Sequence, residues 1–133
     1  EAWSERMSTW FVVHTKPRQE AVAQRHLERQ GYPVYFPRLS LPKLRRHRWA
    51  DVVEPLFPRY LFVSVEVGEQ ALTPIRSTRG ICSVLRFGDR YAEAPRLLID
   101  SLMARANAEG LHVLHDAGLR QGDRLHIIAG PFE

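Results

Sequence analysis

The chain has 133 residues, 44% of them hydrophobic, and nineteen Lys and Arg against fifteen Asp and Glu give it a formal charge of +4. That length suits one core, and no apolar run approaches the roughly 20 residues of a membrane span. The opening EAWSER lacks a signal peptide's basic and apolar regions, so a cytoplasmic protein with no membrane partner is expected.

In chain order, Trp10 to His14 reads as a strand, apolar and β-branched. Pro17 and Gly31 then bracket a helix. Projected at 100 degrees per residue, residues 17–30 place Val22, Ala23, His26 and Leu27 on one arc, with Arg18, Arg25 and Arg29 along its border. Tyr32 to Phe36 is a second strand. Leu39 to Val53 reads as a long basic hairpin, because no acid falls between Glu28 and Asp51 while Arg29, Arg38, Lys43, Arg45, Arg46 and Arg48 do, beside His47 and Trp49. A basic run is often only a solvated loop; between two strands and next to an aromatic it favours nucleic-acid phosphate.

The segment EPLFPRYLFV at 54–63 comes next. Pro55 and Pro58 cannot donate a ladder hydrogen bond, so Leu56 and Phe57 are expected outside the regular sheet, at the mouth of a strand running from Arg59 to Val65. Burial preference alone instead favours Phe57 tucked into the core. A short helix is predicted over Leu72 to Thr78, closed by Gly80, then a strand from Cys82 to Phe87. Pro95 opens a helix with Leu98, Ile99, Leu102, Met103 and Ala106 on one face, and Gly110 ends it. Leu111 to Gln121 has no sustained period and reads as linker.

The order β-α-β-β-α-β plus a terminal helix predicts an α+β, ferredoxin-like split βαβ fold, an antiparallel sheet with helices packed on one side. Such a fold hosts many functions, so residues must decide. No nucleophile with a base, paired carboxylates or phosphate-cradling glycine loop stands out, which argues against an enzyme, and no cofactor is expected. His112 and His115, three apart without a third ligand, make a weak metal signal, and none is assigned. Cys82, the only cysteine, excludes an intrachain disulfide, fits a reducing compartment and reads as a small buried hydrophobe.

EPLFPRYLFV and TRGICSVLRFG at 78–88 together resemble the amino-terminal domain of NusG-type transcription elongation factors, with a spelling nearest the specialised RfaH-type paralogues. The likeness covers residues 7–133. It implies an extension or cloning residues at 1–6, the amino-terminal domain at 7–108, a linker at 109–121, and at 122–133 the truncated start of a KOW barrel. It further implies a monomer that binds the clamp helices of bacterial RNA polymerase through an apolar cavity lined by His14, Phe57, Pro58, Tyr60, Phe62 and Phe87. Non-template DNA would lie against Lys16, Arg18, Gln19, His26, Arg76 and Arg79. Lys43, Arg45, Arg46 and Arg48 would touch duplex DNA or polymerase without base selection. Glu54 matches a position that pairs with the second domain, which in turn would contact ribosomes or a termination factor. Two departures affect specificity: Ala71-Leu72-Thr73-Pro74 replaces a His-Thr-Thr polymerase contact, and Val22 stands at a position basic in the RfaH type. A ferredoxin-like RNA-binding module, or a general NusG-type factor without a DNA target, are the alternatives; RYLFVSV lacks the glycines of the RNA-binding motif.

Overall fold

The run STWFVVHT forms β1 (Ser8–Thr15), the strand about which the domain is built. The computed structural model describes residues 8–113. Side chains alternate along a strand, and here Phe11 and Val13 on one face and Val12 on the other are all buried, so β1 is covered on both sides. It pairs antiparallel with β5 (Tyr60–Glu66) from Ser8↔Glu66 to His14↔Tyr60. With β2 (Val34–Tyr35) beyond β5 and β6 (Ile81–Val84) beyond β1, the order β2-β5-β1-β6 is that of the split βαβ arrangement. The α+β architecture expected from the element order is therefore present. Pro33 and Pro37 leave β2 shorter than the predicted Tyr32–Phe36, since neither can donate to a ladder.

Helices cover both faces of this sheet, where the sequence suggested one. α1 (Glu20–Arg29) buries Ala23 and Leu27 with Phe11, Val13, Leu61 and Val63, and Ile75 of α2 (Thr73–Arg76) joins the same cluster. α3 (Arg96–Arg105) sets Ile99 and Leu102 against Val12, Leu56, Phe57 and Phe62 on the opposite face. Met103, expected in that apolar stripe, is exposed. An apolar stripe marks which side of a helix is buried but not which face of the sheet receives it.

α1 begins at Glu20 and not at Pro17. Arg18 takes a left-handed φ of 61° and the Gln19 N–H closes a turn on the Lys16 carbonyl at 3.0 Å. The basic segment folds as β3 (Arg38–Arg45) and β4 (Arg48–Pro55), joined by Arg46 and His47, both with positive φ. The expected strand to Phe87 stops at Val84, and Cys82 on it is exposed where burial was expected. Arg86–Phe87 (β7) instead pairs with Arg90–Tyr91 (β8), and Glu93–Ala94 (β9) returns to β1. Leu111–Val113, assigned to linker by the sequence, is β10, parallel to β3. Three residues are too few to carry a period.

Candidate interaction surfaces

One row of aromatic side chains crosses the sheet on the face that α3 covers only in part. Register places His14 beside Tyr60 and Val12 beside Phe62, so these residues share that face. The His14 and Tyr60 rings lie 5.2 Å apart, Tyr35 stacks on Phe62 at 6.1 Å, and Phe57 meets Phe62 edge-on at 5.8 Å. Phe57 and Phe62 are 2% and 1% exposed, so they are the floor of this surface and not its contact atoms. Leu56 is fully buried too. The presentation of Leu56 and Phe57 at a strand mouth is thus corrected: the Leu56 N–H donates to the Pro37 carbonyl at 2.9 Å, which turns the pair inward, and burial preference prevails. His14 and Tyr60 are half-buried and Pro58 is exposed. Phe87 is carried away on the β7–β8 excursion, 41% exposed, and Leu85 is the nearby residue that packs against the cluster.

The Pro58-Arg59-Tyr60 bend that sets Tyr60 in place is held by a residue that sequence reasoning passed over. Arg59 has φ 71°, a conformation costly for a side chain larger than glycine. Its N–H donates to the Glu20 carboxylate at 3.0 Å, and its Nε donates to the Thr15 carbonyl at 3.1 Å. Glu20 is 7% exposed and opens α1, where a carboxylate also suits the helix dipole. The Glu20–Arg59 spacing in sequence gives no sign of this contact; only the positive φ does. Burial, and then Arg59, holds the His14 pKa below its ordinary 6.5.

The basic residues expected to meet DNA come from two segments about sixty residues apart, and backbone contacts join those segments. The Lys16 N–H donates to the Gly80 carbonyl at 2.8 Å. At the other end of α1, Gln30 Nε2 donates to Thr78 Oγ1 at 2.8 Å. Gly80 has φ 89°, and a Cβ there would meet the Ala23 Cβ, the Ala23 N and the Gln19 carbonyl oxygen, each at 3.2 Å. Glycine therefore permits the close approach of the α2–β6 turn to α1. Lys16, Arg18, Arg76 and Arg79 are exposed along this seam, with Gln19 and His26 half-buried beside it. The aromatic row and the basic seam thus start from one end of β1 and spread over opposite faces.

The hairpin divides differently. Lys43 is ion-paired with Glu54 of the adjoining strand, so Lys43 is compensated, and Glu54 is engaged within its own hairpin. The second domain expected to pair with Glu54, with its expected start at 122–133, lies outside the described residues, as do His115 and the extension expected at 1–6. Arg45, Arg46 and Arg48 are exposed. His112 is fully buried on β10, its Nε2 3.4 Å from the Tyr35 hydroxyl and its Nδ1 without a hydrogen-bond partner among the described residues. Burial, and then Arg105, lowers its pKa, and burial pushes the Tyr35 phenol up to about 12. Among the described residues no three His, Cys, Asp or Glu side chains are grouped to hold a metal ion. A concavity between β1 and α3, lined by Trp10, Glu66, Arg96 and Asp100, contains none of the predicted site residues. No helix among the described residues is long and apolar enough to cross a membrane.

The fold and these surfaces define an antiparallel α+β domain with a preformed aromatic face and a separate basic seam. The chain belongs to the NusG family: the family model described as "Transcription termination factor nusG" matches residues 8–106. That is a family of transcription factors and not of enzymes. The chain is also similar, at 28% identity over 92% of its length and 76% of the relative's, to the "Transcription termination/antitermination protein NusG" of Thermus thermophilus. A solved chain described as "Domain interaction in Thermotoga maritima NusG" is similar at 20% identity with a TM-score of 0.45, over 69% of this chain. The matched region spans about half of that solved chain, 53%.

Proposed function

We propose that this chain is the polymerase-docking part of a cytoplasmic transcription elongation and antitermination factor, a monomer that grips the clamp helices of RNA polymerase and contacts the non-template DNA strand. The observation that carries this reading is the half-buried His14–Tyr60 ring pair, standing over the Phe57–Phe62 floor on a sheet face that α3 leaves partly open. A rigid, partly desolvated aromatic surface suits a helical tip, because aromatic anchors bring large area at little entropic cost. His14 faces its partner uncharged at neutral pH, which keeps desolvation of the patch inexpensive. Phe57 and Phe62 act in this reading from beneath, by fixing Tyr60.

The seam of Lys16, Arg18, Gln19, His26, Arg76 and Arg79 is the DNA side. Guanidinium groups can both neutralise phosphate and stack on unpaired bases, and two chain segments converge there. Specialised, target-directed action of the RfaH type is part of this proposal. Ala71 supports a different use of the departing loop: its carbonyl accepts the Tyr32 hydroxyl at 2.8 Å, so Ala71-Leu72-Thr73-Pro74 ties the start of α2 to the connection between α1 and β2. A second polymerase contact is not assigned to it. Pull-down of core RNA polymerase by the purified chain tests the reading. Retention of polymerase supports it; failure to retain polymerase, with binding to structured RNA instead, would favour an RNA-binding module.

A further inference from the structure

The concavity between β1 and α3 has a volume of about 540 Å³, within the range of ligand-sized sites, and neither proposed surface uses it. Its floor follows from register. Trp10 stands opposite Ser64 and Ser8 opposite Glu66, so these side chains continue the sheet face of His14 and Tyr60 at the far end of the β1–β5 ladder. Ile99 of α3 belongs to the Phe62 cluster and also lines the concavity, with the exposed Met103 one turn further on. The opposite rim is a tight turn after β5. The Glu69 and Gln70 N–H groups donate to the Glu66 carbonyl at 3.0 and 2.8 Å, and Gln70 Nε2 donates to the Gly31 carbonyl at 3.2 Å. These bonds tie the rim to the connection between α1 and β2, so the site is preformed.

Its chemistry points one way. On a chain of formal charge +4, the lining carries Glu66, Glu69 and Asp100 against Arg96 alone. Arg96 is engaged, its Nη2 donating to Ser8 Oγ at 2.8 Å. Among the described residues none of the three carboxylates forms an ion pair. Ser64 supplies an independent sign. It is 6% exposed, it lines the concavity, and its hydroxyl makes no hydrogen bond to another described residue. Nearly all side chains so deeply placed have a partner, so this hydroxyl is left for whatever enters. Trp10 is half-buried beside it, and an indole face is the aromatic surface that best attracts a cation.

We infer that this concavity receives an arginine from a basic segment of a partner protein, its guanidinium stacked on Trp10, donating to Ser64 Oγ and paired with the carboxylates at the rim. Arginine fits better than lysine because a planar guanidinium stacks and carries enough donors to serve a hydroxyl and carboxylates together. Nucleic-acid phosphate is repelled by the same three acids. The site lies at the other end of the sheet face from His14 and Tyr60, so it can be filled while the aromatic face is occupied.

The test titrates the full chain with a capped nonapeptide containing three arginines spaced by glycine and alanine, and with its citrulline and lysine counterparts. Citrulline keeps the planar shape without the charge and should bind on the order of tenfold more weakly. The lysine peptide should also bind more weakly than the arginine peptide. The Glu69→Gln, Asp100→Asn double variant should lose about fivefold in affinity for the arginine peptide, and Ser64→Ala should weaken it as well. Both exchanged acids are exposed, so the double variant keeps the fold, which circular dichroism checks. In NMR spectra the arginine peptide should shift the Trp10 indole N–H signal. No saturable binding below about 1 mM, equal affinity for the arginine and citrulline or arginine and lysine peptides, or undiminished affinity in the double variant would each overturn the inference. A shift confined to Trp49 would overturn it too, and binding seen only in Arg6→Ala would give the concavity to the chain's own amino terminus instead.

Discussion

Two aromatic residues two positions apart on β5 have different work to do. Phe62 is 1% exposed among Val12, Phe57, Ile99 and Leu102, so Phe62→Ala opens a cavity in the core and is expected to cost about 3–5 kcal/mol of stability. Tyr60 is half-buried at the edge of the same cluster, and its truncation should cost markedly less. Urea unfolding of both variants checks the ranking; a Tyr60→Ala loss as large as that of Phe62→Ala would show that Tyr60 is core and not surface. Histidine protonation supplies a second expectation. His14 and His112 both have pKa values below the 6.5 of the unfolded chain, the first through burial and then Arg59, the second through burial and then Arg105. The unfolded state therefore binds more protons near and below pH 6.5, and stability rises with pH there. The contribution is complete above pH 6.5 and is lost as pH falls through the folded-state values. Melting temperatures should drop on going from pH 7 to pH 5.5, and less steeply in His14→Asn; a flat profile would contradict the assignment.

Among the elements, α1 and the α2–β6 turn act as a unit joined at Gly80. Gly80→Ala adds a Cβ that meets backbone at 3.2 Å in a backbone conformation unfavourable to L-residues, so a loss of about 1–3 kcal/mol is expected. If the seam reads DNA, the same change should reduce crosslinking to non-template DNA without touching any basic side chain. Full crosslinking in a measurably destabilised Gly80→Ala protein would separate the seam's packing from its proposed use. The hairpin turn gives the opposite sign. Replacing Arg46-His47 by Asn-Gly supplies residues suited to positive φ and should raise stability by about 1 kcal/mol, read as a higher urea midpoint. Elements differ in how much of this was legible in sequence. The WFVV run announced β1, Gly31 announced the end of α1, and the acid-free stretch announced the basic hairpin. The burial of Phe57 was legible from residue type alone, whereas the face chosen by α3, the three-residue β10 and the Leu56–Pro37 backbone contact were not. Each depends on contacts between distant segments that local pattern does not encode. The seam was legible only as two separate sets of residues; the Lys16–Gly80 and Gln30–Thr78 hydrogen bonds unite them, and Glu20 escaped notice because its partner is a backbone N–H.

For the whole molecule, the two surfaces leave the same end of β1 on opposite faces, which would let one domain hold a protein on one side and a nucleic-acid strand on the other without either displacing its neighbour. The central claim is that these roles are separable. Affinity for core RNA polymerase and crosslinking to non-template DNA, measured together for Tyr60→Ala and for the Lys16→Ala, Arg76→Ala, Arg79→Ala triple variant, test it most directly. Truncating an aromatic anchor typically removes about 2 kcal/mol or more of binding free energy, whereas exposed charges contribute less. Tyr60→Ala should therefore weaken polymerase binding by more than about tenfold. The triple variant should bind polymerase nearly as well as wild type but lose salt-sensitive crosslinking to the DNA strand. A folded Tyr60→Ala protein that binds polymerase normally, or a triple variant that crosslinks as well as wild type, would contradict the account.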